Sequence, residues 1–451
     1  MKGFLLDLNR CTGCHACRLA CSIENELETG KSWRQIYTFN AQHIPEVSRF
    51  HLSLACQHCA DPACMKACPA LAYSRDASTG AVLVDAELCI GCRYCSWACP
   101  FDAPRYDRGS GTVAKCTLCH HRLEEGKMPA CTSLCPTGAL QFAELDGVDG
   151  TEHVDGFPET RMQPAMRFVP LRHGRTGPEL TGVPELDPGM RWPNSPALNP
   201  PVRIAVRSEW SLIVFTLGAA LLVAMIAASA AGSVFIYPSE FLLASLAVIG
   251  VSSLHLGHPL RGWRAVLNPR HSWLSREILC FLAFTVMAAL MLLLPGGRNL
   301  ALPAALAGFI ALFCIDHVYA RVAAGSGVWL HSAGALLTGV FLYGLLTHDA
   351  LPAGIAGLIK LALFSFRKNW TGGDWRPAAT ILRLSLGFIL PLATWKVQFD
   401  WLLPAVMVAE VIDRSEFYLD LDIPSPHRQV ILDLRQHLAL RSPKPTGARE
   451  S

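Results

Sequence analysis

Sixteen of the eighteen cysteines lie before residue 136, and they fall into four groups of four. Cys11, Cys14, Cys17 and Cys21 follow C-x2-C-x2-C-x3-C, and Cys56, Cys59, Cys64 and Cys68 follow C-x2-C-x4-C-x3-C. Cys89, Cys92, Cys95 and Cys99 repeat the first spacing, and Cys116, Cys119, Cys131 and Cys135 follow C-x2-C-x11-C-x3-C. A cubane iron–sulfur cluster needs four thiolates converging on its corners. A C-x2-C-x2-C loop wraps three of them around it, while the fourth cysteine, one helical turn on, points to a neighbouring cluster. Pro69, Pro100 and Pro136 follow the last cysteine of three groups and limit how the chain leaves the site. Sixteen thiolates then supply four 4Fe–4S clusters with none left over.

Other uses of cysteine fit less well. The start of the sequence does not read as a secretory signal, and disulfide scaffolds are usually short secreted chains. Structural zinc uses paired C-x2-C knuckles, which a tight third cysteine does not suit. Cys116-Thr-Leu-Cys119-His120 matches the c-type haem attachment signal, but Cys131 and Cys135 complete a fourth quartet in register with the others. The residues between the quartets show neither a catalytic triad nor a phosphate loop. Lys66, Arg93 and Lys115 there read as surface or cluster-tuning groups.

Beyond the cysteines the composition changes. The 451 residues are too many for one core, 51% are hydrophobic and 17% charged, and the net charge of +3 does not suggest nucleic-acid binding. Residues 1–175 are expected to form an α+β four-cluster ferredoxin-like domain, and 176–205 a proline-rich linker carrying Pro178, Pro184, Pro188, Pro193, Pro196, Pro200 and Pro201. Residues 206–420 are expected to form an all-α transmembrane bundle, and 421–451 a polar tail. Eight apolar stretches, about 210–232, 239–257, 277–295, 299–318, 327–347, 351–366, 377–395 and 399–413, match what a spanning helix needs.

An even number of spans puts both ends on one side. Loops on the cluster side would carry Arg261, Arg264, Arg270, Arg276, Arg321, Arg367, Lys368 and Arg376, and the far loops only Arg298 and Lys396. That asymmetry predicts a multi-pass inner-membrane protein with its cluster domain in the cytoplasm. The absence of a twin-arginine pattern in MKGFLLDLNR agrees.

The motifs CIGCRYCSWACPFDAPRYD and KCTLCHHRLEEGKMPACTSLCPTGAL resemble the iron–sulfur subunit of dimethyl sulfoxide reductase-type molybdoenzymes. EWSLIVFTLG, SLHLGHPLRGWRAVLN, SWLSREI and AEVIDRSEFY resemble the eight-helix membrane anchor of the same system, so two subunits are joined in one polypeptide. The resemblance implies that Cys11, Cys14 and Cys17 share a cluster with Cys135, and Cys116, Cys119 and Cys131 with Cys21. Likewise it pairs Cys56, Cys59 and Cys64 with Cys99, and Cys89, Cys92 and Cys95 with Cys68. Cys92 stands where nitrate reductase relatives carry tryptophan and a three-iron cluster. The resemblance further implies a separate molybdopterin catalytic subunit, exchange of electrons with menaquinone or ubiquinone, and no haem, although His255, His317 and His331 offer imidazoles.

Quinone turnover moves two electrons and two protons, so it needs titratable groups beside a cluster at the membrane surface. His255, ending the second stretch, and Glu277, opening the third, match the family's quinol-site residues and are the expected proton relay. Arg261 and Arg276 are candidate orienters of a quinone oxygen. Asp316, Lys360, Arg383 and Glu410 lie in or near apolar stretches and are expected to pair between helices, for example Glu410 with Arg414 or Arg383. Cys280 and Cys314 read as packing residues.

The reading is therefore a fused electron-transfer and anchor subunit of a molybdopterin oxidoreductase, with a cytoplasm-facing sulfite dehydrogenase as the expected complex. The alternatives are a dimethyl sulfoxide or related oxide reductase oxidising menaquinol, a membrane-tethered polyferredoxin relay without a quinone site, and a haem-bearing cytochrome subunit.

Overall fold

The N-terminal half is built of short elements, because a cysteine loop interrupts the backbone before any helix or strand can lengthen. The computed structural model describes residues 1–45, 47–172, 206–320, 330–370, 374–395, 401–421 and 423–441. The proline-rich stretch expected over 176–205, and Arg321 and Lys396, lie outside them.

In chain order the first half runs β1 (Lys2–Asp7), α1 (Ala16–Glu24), β2 (Gln35–Phe39), β3 (Phe50–Leu54), α2 (Ala63–Ala67), β4 (Tyr73–Arg75) and β5 (Val82–Val84). It continues through α3 (Tyr94–Ala98), β6 (Arg105–Asp107), β7 (Thr112–Ala114), α4 (His120–Glu124), α5 (Ala130–Ser133), β8 (Leu140–Glu144) and β9 (Met166–Val169). Strand β1 is central to a three-stranded sheet, antiparallel to β8 and parallel to β9. Three hairpins, β2–β3, β4–β5 and β6–β7, complete this ferredoxin-like domain.

The loops that carry cysteines turn through left-handed backbone. Gly13 and Gly91 have φ of 68° and 72°, and the residues before α1, α3 and α4 (His15, Arg93 and Cys119) have φ of 63°, 60° and 50°. Such turns fold three cysteines towards one point, a curvature that neither helix nor strand provides.

The second half is helical: α6 (Val206–Ala230), α7 (Pro238–Ser253), α8 (Trp273–Leu293), α9 (Ala301–Ala320), α10 (Ala335–Thr347) and α11 (Ala350–Trp370). Helix α12 (Pro377–Leu384) passes through a π-helical turn (Ser385–Ile389) into α13 (Leu390–Ala393), where Pro391 lacks the N–H that an α-helical turn would use. Helices α14 (Leu402–Asp420) and α15 (Pro426–Arg441) follow.

Among the described residues, four helical segments are long and apolar enough to cross a membrane: Glu209–Ala230, Trp273–Leu293, Gly297–Tyr319 and Ala350–Asn369. Pro238–Ser253, Ala335–Thr347 and Pro377–Ala393 are apolar but shorter. Helix α14 corresponds to the last of the eight expected stretches, but Glu410, Asp413, Arg414, Glu416 and Asp420 lower its hydropathy. Outward-facing Leu243, Leu246, Leu306, Leu358 and Leu392 form an apolar exterior suited to lipid.

The charges of α14 are buried against α11 and α12. Lys360 Nζ lies 2.9 Å from Glu410, Arg383 2.7 Å and Arg367 2.9 Å from Asp413, and Lys368 3.0 Å from Asp420. The partners differ from the expected ones. Glu410 meets Lys360, whereas Arg414 donates to the Ala333 carbonyl at 2.7 Å and lies over Tyr319 and Tyr418. Asp316 accepts the N–H groups of Ala335 and Leu336 at 2.7 and 3.0 Å, so it caps α10.

The C-terminal stretch, expected as a polar tail, instead folds over 426–441 and packs on the first half. Val430, Ile431 and Leu434 join a core containing Phe39, Leu52 and Phe157. Asp433 accepts the Gly156 N–H at 2.6 Å, and His437 lies 2.9 Å from Asp155. The difference has a simple reason: an apolar stripe spaced three to four residues apart is easily missed among the charges of one short helix.

Candidate functional site

Four cavities in the first half are each walled by four cysteines, three from one quartet and one from another. Cys11, Cys14, Cys17 and Cys135 surround about 320 Å³, and Cys21, Cys116, Cys119 and Cys131 about 290 Å³. Cys56, Cys59, Cys64 and Cys99 surround about 340 Å³, and Cys68, Cys89, Cys92 and Cys95 about 300 Å³. The interleaving follows from the helices. Cys17 and Cys21 lie on α1 one turn apart, and they serve different cavities.

Among the described residues no three His, Cys, Asp or Glu side chains converge tightly enough for a single metal ion. The sulfurs stand around volumes, as ligands to a polynuclear cluster would. Backbone N–H groups donate to them: Ala72 to Cys68, Leu118 to Cys116 and Leu140 to Cys135, each at 3.4 Å. Burial pushes the thiol of Cys131 up to about 11 and those of Cys92 and Cys99 up to about 12. A buried thiolate is therefore unfavourable unless a cationic centre compensates it, which iron supplies. The donor set thus fits iron–sulfur clusters at each cavity.

A fifth cavity, of about 430 Å³, lies where the two halves meet. Cys92, Tyr94 and Trp97 line it from the first half. From the bundle come Leu212, Phe215 and Thr216 of α6, His255 after α7, Leu274 and Glu277 of α8, and Ile315, Val318 and Tyr319 of α9. His255 and Glu277 are thus brought together, beside a cysteine of the fourth cage. The Nδ1 of His255 hydrogen-bonds the Ser252 carbonyl, which can only accept, so Nε2 is the nitrogen left to take up a proton. Glu277 is buried and forms no ion pair with a described residue. Tyr319 shares a hydrogen bond with Tyr418.

Arg261 and Arg276 do not reach this cavity. Arg261 donates to the Ala86 and Cys89 carbonyls at 2.8 and 3.3 Å, tying the loop after α7 to the cluster domain. Arg276 donates to the Pro269 and Arg270 carbonyls, each at 2.7 Å, and stacks on Trp273. Both guanidinium groups here secure backbone turns, and neither lines the cavity.

The same loop explains why the cavity forms. His258 N–H donates to the Ile90 carbonyl at 3.2 Å, Asn268 to that of Cys68 at 2.9 Å, and Ser272 to that of Ala67 at 3.0 Å. Gly91 and Gly257 meet nearly backbone to backbone: a Cβ on Gly257 would stand 1.8 Å from the Gly111 carbonyl oxygen. Tyr94 anchors α3 to the bundle through the Val318 carbonyl at 2.8 Å. Sequence reasoning passed over Tyr94, Trp97 and Tyr319. The first two sit between cysteines of one quartet, the only signal that could have drawn attention to them.

Comparison with known proteins gives matches to both halves. A 4Fe-4S dicluster domain family matches residues 47–145, and the DMSO reductase anchor subunit family matches 206–354. The B component of the anaerobic dimethyl sulfoxide reductase of Haemophilus influenzae is 38% identical over 194 residues, which cover 40% of this sequence and 94% of the relative. The corresponding Escherichia coli protein is 43% identical over 152 residues, 32% of this sequence and 74% of the relative. The B component of the sulfite dehydrogenase of Allochromatium vinosum is 33% identical over 200 residues, 38% of this sequence and 83% of the relative.

Proposed function

The protein belongs to the iron–sulfur subunit family of dimethyl sulfoxide reductase-type enzymes, continued in the same polypeptide by that system's membrane anchor, and from that premise we propose that it conducts electrons between a molybdopterin catalytic subunit and membrane quinone. Sixteen cysteines would hold four 4Fe–4S clusters, one in each cage. These clusters supply single-electron storage and transfer when bound. The resemblance implies that the cage of Cys11, Cys14, Cys17 and Cys135 lies nearest the catalytic partner, and the exposure of Cys14 is consistent with that. The observation that carries the reading is that Cys92 walls both the cage of Cys68, Cys89 and Cys95 and the cavity holding His255 and Glu277.

In that cavity the protein's residues have separable tasks. Phe215, Leu274, Ile315 and Val318 present apolar surface to a ring and exclude water. His255 Nε2 and the Glu277 carboxyl hold and exchange the protons that accompany two electrons. Tyr319, Tyr94 and Thr216 add hydroxyl groups to the same wall. The test is quinol-driven cluster reduction in membranes: His255→Ala or Glu277→Gln should slow it while cluster reduction by a soluble dye stays intact. Undiminished quinol-driven reduction in both would leave the tethered relay as the better reading.

For the complex we propose sulfite oxidation with quinone as acceptor, the cluster domain facing the cytoplasm at the inner membrane. Support comes from the sulfite dehydrogenase relative and from Arg261, Arg264, Arg270 and Arg276 opposite Arg298, although Arg261 and Arg264 also donate to carbonyls of the cluster domain. Reduction of dimethyl sulfoxide is the second reading, favoured by the higher identity to the dimethyl sulfoxide reductase relatives. Assay of the isolated complex with each substrate, and protease access to the cluster domain in vesicles of known sidedness, separates the two.

A further inference from the structure

Arg34, just before β2, is only 1% exposed. Its Nη1 donates to the Ser53 carbonyl at 2.9 Å and to Ser53 Oγ at 3.3 Å, and its cation lies 4.3 Å from the Phe4 ring centroid. Its Nη2 is buried and has no hydrogen-bond partner among the described residues. A buried guanidinium left this way is costly, and a carboxylate usually accompanies it. Here the ionisable groups facing it are sulfurs: Cys131, Cys116, Cys17 and Cys21. Arg34 lines the cavity walled by Cys21, Cys116, Cys119 and Cys131, and through Ser53 Oγ, 3.3 Å from Cys17 Sγ, it also reaches the neighbouring cage.

Resting on the cluster assignment above, we propose that Arg34 is the built-in counter-charge of the cluster held by Cys21, Cys116, Cys119 and Cys131, and that it sets this cluster's midpoint potential above the value it would otherwise have. The physical argument is short. Reduction adds a negative charge to a group already made anionic by four thiolates. A fixed cation inside the same low-dielectric core stabilises the reduced form more than the oxidised one. The free N–H of Nη2 adds a donor towards cluster sulfur, which acts in the same direction. Ser53 transmits a weaker effect to the cage of Cys17, whereas the cages of Cys59 and Cys95 have no such contact with Arg34. Arg34 is a positioning and tuning residue for electron flow, not a ligand.

The experiment is a redox titration of the membrane-embedded full-length protein, following the clusters by electron paramagnetic resonance together with iron per polypeptide, in wild type, Arg34→Lys and Arg34→Gln. In Arg34→Gln one cluster should move to lower potential by at least a tenfold change in its reduced-to-oxidised ratio, about 59 mV for one electron. The two clusters remote from Arg34 should hold their potentials, and Arg34→Lys should recover most of the shift. Loss of that one cluster's iron in Arg34→Gln, with retention in Arg34→Lys, also supports the counter-charge. Unchanged potentials at full iron, an equal shift in the Lys variant, or iron loss in both variants would overturn it. A wild-type protein without cluster signals would instead sink the cluster assignment itself, a distinguishable result.

Discussion

The cluster domain and the helical bundle both bury polar groups, but they settle the electrostatics in opposite ways. In the bundle buried acids and bases pair within the protein, Lys360 with Glu410, Arg383 and Arg367 with Asp413, and Lys368 with Asp420, while Arg414 is held by a carbonyl and tyrosine rings. In the cluster domain they do not. Four cages of sulfur and the Nη2 of Arg34 have too few protein partners, and at the junction Glu277 has no ion pair with a described residue. Self-neutralised groups hold helices together, and groups left unmatched mark where something else must bind.

The contrast can be broken first at the cages. Cys95→Ser should remove about four irons per polypeptide and abolish electron transfer from quinol to the remaining clusters, as read by iron analysis and cluster spectra. Retained quinol-driven reduction would mean that this cage is not the membrane end of the wire. Next, Glu277→Gln should cut quinone turnover by about 10²–10⁴-fold, the range for loss of a positioned acid or base, with dye-linked activity unchanged.

In the bundle the expected damage is to stability. Asp413→Ala strands Arg383, leaves Arg367 only its longer contacts to Glu416 and Asp420, and should cost about 3–5 kcal/mol, read as a lower unfolding midpoint in detergent with cluster content intact in the folded fraction. Replacing Lys360 and Glu410 together by methionine should cost less than either single change, since it removes both charges and orphans only the neutral Thr338 hydroxyl and Ser332 carbonyl, whereas either single change should resemble Asp413→Ala. A severe double variant with active single variants would assign this pair a role in function instead.

The smallest effect belongs to the surface. Lys31, and then the Ser110 hydroxyl, hold the Asp107 carboxyl down to about 2 from 3.8. Because the folded value is depressed, its contribution is present above pH 3.8 and is lost as pH falls through about 2. Asp107→Asn should therefore lower stability only slightly at neutral pH, because the pair is exposed, and converge with wild type as pH falls through about 2. A clear loss at pH 7 would show that exposed pairs carry weight here after all.

Much of the architecture was legible along the sequence. Quartet spacing and apolar stretch length are local properties, so the ferredoxin-like half and the helical anchor could be read without coordinates. His255 and Glu277 were singled out by their match to the family's quinol-site residues, and the fold places both on one cavity. What Arg261 and Arg276 hold was not legible, because an arginine looks alike in sequence whether it meets a ligand or a carbonyl. Helix α15 escaped because its apolar residues acquire meaning only against Phe39 and Phe157, hundreds of positions earlier.

The order of residues by itself determined which atoms can ligate and which segments are apolar enough for lipid, since both follow from side-chain chemistry at short range. Tertiary structure alone decided that Cys92 backs onto the cavity of His255 and Glu277, that Arg34 lies among four sulfurs, and that the acids of α14 are matched. These are contacts between residues distant in the sequence. Burial, which turns a mere charge into a site or a bond, exists only once such residues are packed together.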